Sequence, residues 1–144
     1  MSCSSGTVST TNGCVPCSTL MAECTGCSSA TTCTSCNAGF YPPTGGTGCS
    51  ACHYSCSTCT DGTDTSCGSC PANSFRTLVS ATNSCNPDAG YYDNGVTLAA
   101  QCISPCATCT SATACTSCVA GYTLSGTCCG GDCDDSNVNV GLIV

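Results

Sequence analysis

Ser29-Ala-Thr-Thr-Cys33-Thr-Ser-Cys36-Asn-Ala-Gly-Phe40 returns later in the chain as Ser111-Ala-Thr-Ala-Cys115-Thr-Ser-Cys118-Val-Ala-Gly-Tyr122, with nine of twelve positions identical and one aromatic exchanged for another. A looser copy, Asp64-Thr-Ser-Cys67-Gly-Ser-Cys70-Pro-Ala-Asn-Ser-Phe75, lies between them. Self-similarity of this kind marks a repeat architecture, in which each copy is one small supersecondary unit. Working outward, CxxC pairs begin at Cys14, Cys24, Cys33, Cys49, Cys56, Cys67, Cys106 and Cys115. They group into three six-cysteine units. The first holds Cys17, Cys24, Cys27, Cys33, Cys36 and Cys49; the second Cys52, Cys56, Cys59, Cys67, Cys70 and Cys85; the third Cys102, Cys106, Cys109, Cys115, Cys118 and Cys128. Cys3, Cys14, Cys129 and Cys133 remain at the two ends. The expected organisation is a lead-in over 1–16, modules over 17–51, 52–85 and 102–128, a hairpin or bend over 86–101, and an acidic turn with an apolar tail over 129–144.

Composition explains why the repeats are built on sulfur. Cysteine supplies 22 of 144 residues, whereas Leu, Ile, Val and Phe together number 17. A chain with less than about 20% of those four residues cannot build a conventional interior, and one this rich in cysteine reads as a disulfide scaffold. Ser and Thr account for 44 residues more. The predicted fold class is therefore small and disulfide-rich, mostly irregular with short β-hairpins, in elongated tandem cysteine-rich modules. Cross-links replace the missing core.

Charge excludes whole classes of partner. The chain has one Arg (Arg76), one His (His53), no Lys and a formal net charge of −7. Nucleic acid and anionic membrane surfaces both demand clustered cations, so neither is an expected partner. Cysteine at this density belongs to an oxidising compartment, which places the chain outside the cell or on its surface. The longest apolar run, Val138 to Val144, is too short to cross a bilayer, so no membrane insertion is expected within this chain. No apolar leader follows Met1, so a leader, if the protein has one, lies outside the given residues.

Gly, Ser, Thr, Asn and Pro interrupt the sequence too often for helical periodicity, which leaves short strands and turns. The segments around Phe40-Tyr41, Phe75-Arg76-Thr77-Leu78-Val79 and Tyr122-Thr123-Leu124 are β-prone and carry turn residues (Gly45-Gly46, Asn83 and Gly126). Each reads as a hairpin tied back by the closing cysteine of its unit. Asp88-Ala-Gly-Tyr91-Tyr92-Asp-Asn94-Gly95-Val-Thr-Leu98 reads as a further hairpin, with Asn94-Gly95 as a type I′ turn.

Sites for chemistry are sparse. Cys24, Cys27, Cys33 and Cys36 superficially match a zinc spacing, but the cysteine supply far exceeds one site and the only histidine is His53. A redox CxxC needs a helix N-terminus to depress its thiol, and none is evident. His53 and Tyr54 lie inside a Cx3C loop, and Asp61 and Asp64 in a turn-rich one, so structural roles are expected for all four. With one His and no GxSxG elbow, no hydrolase triad is supported, and no enzymatic activity is expected. Thr44 and Thr47, beside Pro42-Pro43, are candidates for O-linked glycans; no NxS/T sequon occurs, and only Asn12-Gly-Cys14 and Asn83-Ser-Cys85 match the rarer NxC form.

Two stretches carry a resemblance: Cys52-His-Tyr-Ser-Cys56-Ser-Thr-Cys59 through Cys67-Gly-Ser-Cys70-Pro-Ala, and Cys102-Ile-Ser-Pro-Cys106-Ala-Thr-Cys109 through Cys115-Thr-Ser-Cys118-Val-Ala-Gly-Tyr122. They resemble furin-like and growth-factor-receptor cysteine-rich repeats, a module shared with R-spondins and protist surface antigens, and the Thr/Ser/Ala filler looks most like the ciliate-type antigens. The resemblance spans residues 14–128. It implies a first-to-third, second-to-fourth, fifth-to-sixth pairing, which spacing alone does not choose from the many pairings of six cysteines. Carried over, this gives Cys17–Cys27, Cys24–Cys33 and Cys36–Cys49; Cys52–Cys59, Cys56–Cys67 and Cys70–Cys85; Cys102–Cys109, Cys106–Cys115 and Cys118–Cys128. Cys14 is an alternative to Cys17 in the first bridge. Cys3 and Cys14 would pair locally, as would Cys129 and Cys133, unless one of them staples neighbouring chains.

A second resemblance lies in Gly130-Gly131-Asp132-Cys133-Asp134-Asp135-Ser-Asn137-Val-Asn139-Val140-Gly141, which is similar to a GGDCDDxD…VNPG metal-binding repeat of extracellular proteins, two residues shorter and without its proline. It implies calcium, a cation that favours oxygen ligands, held by Asp132, Asp134, Asp135, Asn137 and Asn139; no organic cofactor is expected. The expected function is a structural subunit of an extracellular coat, surface-antigen layer or filament, a glycoprotein that self-assembles head to tail. Val138, Val140, Leu142, Ile143 and Val144 would pair with the edge of another copy. The alternative is a secreted or receptor-borne ligand-binding module.

Overall fold

The structure, a computed structural model, describes residues 2–130, with the backbone alone for Cys128. The chain forms two compact units, Met1–Ala72 with Leu78–Cys85, and Asn73–Thr77 with Asn86–Val144.

The first unit opens on β1 (Thr7–Thr10) paired antiparallel with β2 (Gly13–Pro16). Pro16, at φ −59°, ends that ladder and starts one turn of helix, α1 (Cys17–Leu20). No other helix occurs among the described residues. β3 (Cys24–Ser29) then pairs with β4 (Thr32–Cys36), β5 (Phe40–Tyr41) with β6 (Ser50–Ala51), and β7 (Thr58–Cys59) with β8 (Cys67–Ser69), all antiparallel. β9 (Arg76–Val79) pairs with β10 (Ser84–Pro87), and the division between the units runs through this hairpin. In the second unit β11 (Tyr91–Tyr92) pairs with β12 (Ala100–Gln101), β13 (Cys106–Ser111) with β14 (Ala114–Cys118), and β15 (Leu124–Ser125) with β16 (Cys128–Cys129). Every sheet among the described residues has two strands. Isolated hairpins of this size are marginal in water, so their persistence must come from what ties them together.

The ties are ten disulfides among the described residues. Each closes a loop of modest length, a type of cross-link worth about 2–4 kcal/mol. They are also the interior. Cys17 and Cys24 are fully buried and cluster with Met21 and Cys33, against which Cys27, Cys36 and Cys49 pack. A second cluster joins Cys56, Cys67 and Cys85, with Cys52, Cys59, Cys70 and Leu78 around it. This is the disulfide-rich, hairpin-based architecture that the composition predicts.

The CxxC spacing poses a geometric problem that the strands solve with bulges. Residues three apart on a regular strand point to opposite faces. In β3–β4 the pairs are Gly26↔Ser35 and Cys27↔Cys33, so Thr34 is an extra residue between Ser35 and Cys33. Thr116 is the extra residue in β13–β14, where Thr108 pairs Ser117 and Cys109 pairs Cys115; Gly68 is its counterpart in β7–β8. One inserted residue restores the facing of everything beyond it. Cys33 and Cys36 therefore turn to the same side, with their sulfurs 3.9 Å apart.

The segment 88–98 differs from its expected form. β11 and β12 are joined by a long loop over 93–99, and Asn94 lacks the positive φ that a type I′ turn requires, although Gly95 has φ +80°. The Asp93 side chain accepts the Gly95 N–H at 2.9 Å, forming a side-chain turn in place of the backbone one.

Candidate functional site

The features that recur along this molecule are its cystine frame and the joint that passes the chain from one hairpin to the next. Four turns share one geometry. The N–H groups of Thr7, Phe40, Tyr91 and Tyr122 donate to the carbonyls of Ser4, Asn37, Asp88 and Val119, at 3.0–3.2 Å. The third residue of each turn is a glycine with φ between +77° and +93°: Gly6, Gly39, Gly90 and Gly121. This left-handed backbone is the one that glycine adopts without steric penalty.

Three of those glycine carbonyls receive the opening cysteine of the next CxxC hairpin. Cys17 N–H donates to Gly6 at 2.9 Å, Cys52 to Gly39 at 2.8 Å, and Cys102 to Gly90 at 2.8 Å. The joint is a backbone contact, independent of the side chains around it. A second recurring bond locks the hairpin base: Asn37 N–H donates to Glu23 O and Val119 N–H to Pro105 O, both at 2.9 Å. In the middle repeat the corresponding residue is Pro71, which has no N–H to give.

Cross-strand hydroxyl pairs face outward on each CxxC hairpin. Thr25 Oγ1 donates to Ser35 Oγ at 3.0 Å, Thr58 Oγ1 meets Ser69 Oγ at 2.7 Å, and Thr108 Oγ1 lies 2.7 Å from Thr116 Oγ1. Such pairs contribute about 0.2–1 kcal/mol each. Thr44 and Thr47 are exposed.

The structure pairs Cys17–Cys27, Cys24–Cys33, Cys36–Cys49, Cys52–Cys59, Cys56–Cys67, Cys70–Cys85, Cys102–Cys109 and Cys106–Cys115, as the resemblance implies. Cys14 bonds Cys3. The third unit requires a correction: Cys118 is closed by Cys129, not by Cys128. The two-residue loop of β15–β16 sets Leu124 opposite Cys129 and Ser125 opposite Cys128. The Cys129 sulfur lies within 4.8 Å of those of Cys106 and Cys115. Two adjacent cysteines offered the choice, and the bond is made by the one opposite Leu124.

Other sequence candidates resolve into local structure. The sulfurs of Cys24, Cys33 and Cys49 also lie within 4.8 Å of one another. All six sulfurs of these two groups belong to disulfides and offer no thiolate, the form that zinc binds. His53 Nδ1 lies 2.8 Å from Ser55 Oγ and accepts the Ser55 N–H at 3.4 Å, while the His53 and Tyr54 rings sit 4.0 Å apart. Ser55 is 3% exposed, so this Ser–His contact braces the Cx3C loop and leaves its hydroxyl no route to a substrate. Asp61 accepts the backbone and side-chain donors of Thr63, and these bonds hold its carboxyl below the usual carboxylate range. An open groove of about 450 Å³ near Leu20, Met21 and Ala30 contains no charged side chain. The proposed calcium ligands Asp132, Asp134, Asp135, Asn137 and Asn139, the assembly residues Val138, Val140, Leu142, Ile143 and Val144, and Cys133 lie outside the described residues.

Sequence reasoning missed Arg76, whose composition signal was only that it is the sole strong cation. The β11–β12 hairpin has no disulfide of its own, and Arg76 holds it. Nε donates to Thr97 O at 3.1 Å, Nη2 to Val96 O at 3.0 Å, and the guanidinium pairs with Asp93 at 2.9 Å. Phe75 stacks on Tyr91 with ring centroids 4.3 Å apart, and Thr77 Oγ1 donates to Asp88 at 2.6 Å.

Two curated proteins match this frame. The chain is 35% identical to Major surface-labeled trophozoite antigen 417 of Giardia intestinalis over 73% of its own length. It is 34% identical to Cysteine repeat modular protein 1 of Tetrahymena thermophila over 78% of its length. The chain is thus similar to cysteine-rich proteins of protists, a surface antigen among them. It spans 12% of the first relative and 5% of the second. No family model and no solved structure matches it. Ten disulfides and this likeness fit a disulfide-stabilised protein of the extracellular or cell-surface compartment, and no helix among the described residues is long and apolar enough to cross a membrane.

Proposed function

We propose that the chain is a structural, non-enzymatic segment of a cell-surface coat or surface-antigen layer, in which copies associate head to tail into a filament or sheet. The observation that carries this reading is the frame itself: cystines fill the interior, backbone bonds join successive hairpins, and hydroxyl pairs line the exterior. The likeness to a trophozoite surface antigen supports it. In this reading Val138, Val140, Leu142, Ile143 and Val144 add as a strand to an edge of the next copy, since an apolar strand seeks an unpaired edge. Asp132, Asp134, Asp135, Asn137 and Asn139 hold calcium beside that contact. Thr44 and Thr47 carry O-linked glycans.

The test is negative-stain microscopy and non-reducing sizing of the oxidised chain, intact and lacking residues 138–144. Polymers from the intact chain and monomers from the truncated one are expected. Equal assembly by both removes the tail from the joint, and monomers from both remove self-assembly. Calorimetry in millimolar calcium, repeated on the Asp134→Asn, Asp135→Asn double variant, tests the metal. No heat from the wild type refutes calcium binding.

A further inference from the structure

In the first module the Cys24–Cys33 and Cys36–Cys49 disulfides lie side by side. Cys33 Sγ is 3.4 Å from Cys49 Sγ, and the sulfurs of Cys24, Cys33 and Cys49 all lie within 4.8 Å of one another. Cys24 and Cys36 are direct partners in the β3–β4 ladder. Opposed residues of an antiparallel pair face the same way with Cα atoms about 4.5–5.5 Å apart, inside the span that a disulfide bridges. Four sulfurs therefore fit two pairings, the observed one and Cys24–Cys36 with Cys33–Cys49. The third module repeats the arrangement: Cys106 opposes Cys118, and the sulfurs of Cys106, Cys115 and Cys129 meet within 4.8 Å. The middle module departs from it, because β7 starts at Thr58 and β8 ends at Ser69, leaving Cys56 and Cys70 outside the ladder.

The two bridges of the first module differ in access. Cys24 is fully buried and Cys33 is 6% exposed, whereas Cys36 and Cys49 are partly exposed. Cys49 also lines the open groove of about 450 Å³, together with Leu20, Met21, Ala30 and Thr47, and no charged side chain stands there. We infer that this groove is a thiol-exchange site: it admits a small thiol with no charge beyond its own thiolate, which switches the first module between its two pairings. A thiolate attacks one sulfur of a disulfide and expels the other. The incoming thiolate bonds Cys49 Sγ, the Cys36–Cys49 bond breaks, and its electron pair leaves on Cys36. Cys36 then attacks its ladder partner Cys24, forming Cys24–Cys36 and expelling Cys33 as a thiolate. Cys33 attacks Cys49, its neighbour at 3.4 Å, forms Cys33–Cys49 and releases the original thiolate. Nothing is oxidised or reduced overall, and the thiol is returned.

This inference does not rest on the assembly reading. The test places the full oxidised chain in millimolar mercaptoethanol at about pH 8.5, near the ordinary thiol pKa, with acid quenching and non-reducing peptide mapping by tandem mass spectrometry. Cys24–Cys36 and Cys33–Cys49 are expected to appear together, at a rate that rises with the thiol and in a final proportion that does not depend on it. Cys56–Cys67 and Cys70–Cys85 should persist. Ala30→Phe, at an exposed position on the groove, should slow the exchange about tenfold, because the rate depends on access to the attacked sulfur. Native pairing alone overturns the inference, as do free thiols at Cys36 and Cys49 beside an intact Cys24–Cys33. Equal scrambling of the first and middle modules, or an Ala30→Phe rate equal to that of the wild type, also overturns it.

Discussion

The guanidinium of Arg76 lies 2.9 Å from Asp93 Oδ1, in the loop of the β11–β12 hairpin, which has no disulfide of its own among the described residues. Its side chain is 1% exposed while that of Asp93 is 44% exposed, so the pair is a buried fork reaching a carboxylate at the surface. The same guanidinium also satisfies two carbonyls of the 93–99 loop, those of Val96 and Thr97. A planar donor with several N–H groups does here what a covalent bridge does elsewhere in the chain.

Replacing Arg76 should therefore open that loop. Arg76→Met leaves both carbonyls without their donor, and a loss of about 2–3 kcal/mol is expected, concentrated in residues 91–101. Arg76→Lys keeps the charge but not the fork and should recover part of the loss. Amide exchange over 91–101 reads the effect, while the β3–β4 hairpin in the other unit should stay unchanged. Uniform loosening of both hairpins would contradict the local role.

The joint turns depend on left-handed backbone. Gly39→Ala and Gly90→Ala put a Cβ where φ is +87° and +83°. Each should cost about 1–2 kcal/mol and speed exchange of the Cys52 or Cys102 amide that docks on the turn. The Cβ itself meets no crowding within 3.4 Å at either site, so the penalty is conformational. Wild-type exchange rates in both variants would show that the turn does not hold the joint.

Closure of the third unit distinguishes two neighbouring thiols. Non-reducing peptide mapping should recover Cys118 linked to Cys129, and Cys128→Ser should leave that link intact. Cys129→Ser should open the β15–β16 hairpin and raise its protease sensitivity. A Cys118–Cys128 peptide in the wild type would mean that hairpin register does not select the bridge.

Much of the fold was legible because cysteines label the period of the repeat, while their pairing was implied by a resemblance and not by spacing. The repeated Thr-Ser-Cys, the three closing hairpins and the absence of a conventional core are all visible in the order of residues. The choice between Cys128 and Cys129 was not, since adjacent residues differ only in the face they take, and a turn of known length is needed to assign it. The Asn94-Gly95 turn misled for a related reason: Asp93 captures the Gly95 N–H, and Arg76, many residues away, draws Val96 and Thr97 inward. Local turn preference yielded to a nonlocal hydrogen-bond donor. The joints at Gly6, Gly39 and Gly90 were not legible either, because a backbone bond leaves no mark in the side-chain sequence.

The Asp61 loop should respond to acid. Because the folded carboxyl titrates below its unfolded value, the stability it lends to residues 61–66 is present above the ordinary carboxylate range. That stability is lost as pH falls through the folded value. Thr63→Ala removes the side-chain donor, which is the leading cause of the depression, and should move the Asp61 titration upward, as followed by carboxyl-carbon chemical shift. An unchanged titration would assign the depression to other groups.

The joint has a consequence for how such a protein can change over generations. Its contacts run from one peptide group to another, and its disulfides use only sulfur, so an exposed side chain that joins no local hydrogen bond is free of structural duty. Exposed positions such as Thr11 and Thr113 can drift in size, polarity and modification without disturbing the fold that carries them. A molecule built this way can alter its outward face while its internal plan stays the same, and new lengths of it can be added by repeating one glycine, one turn and one spacing.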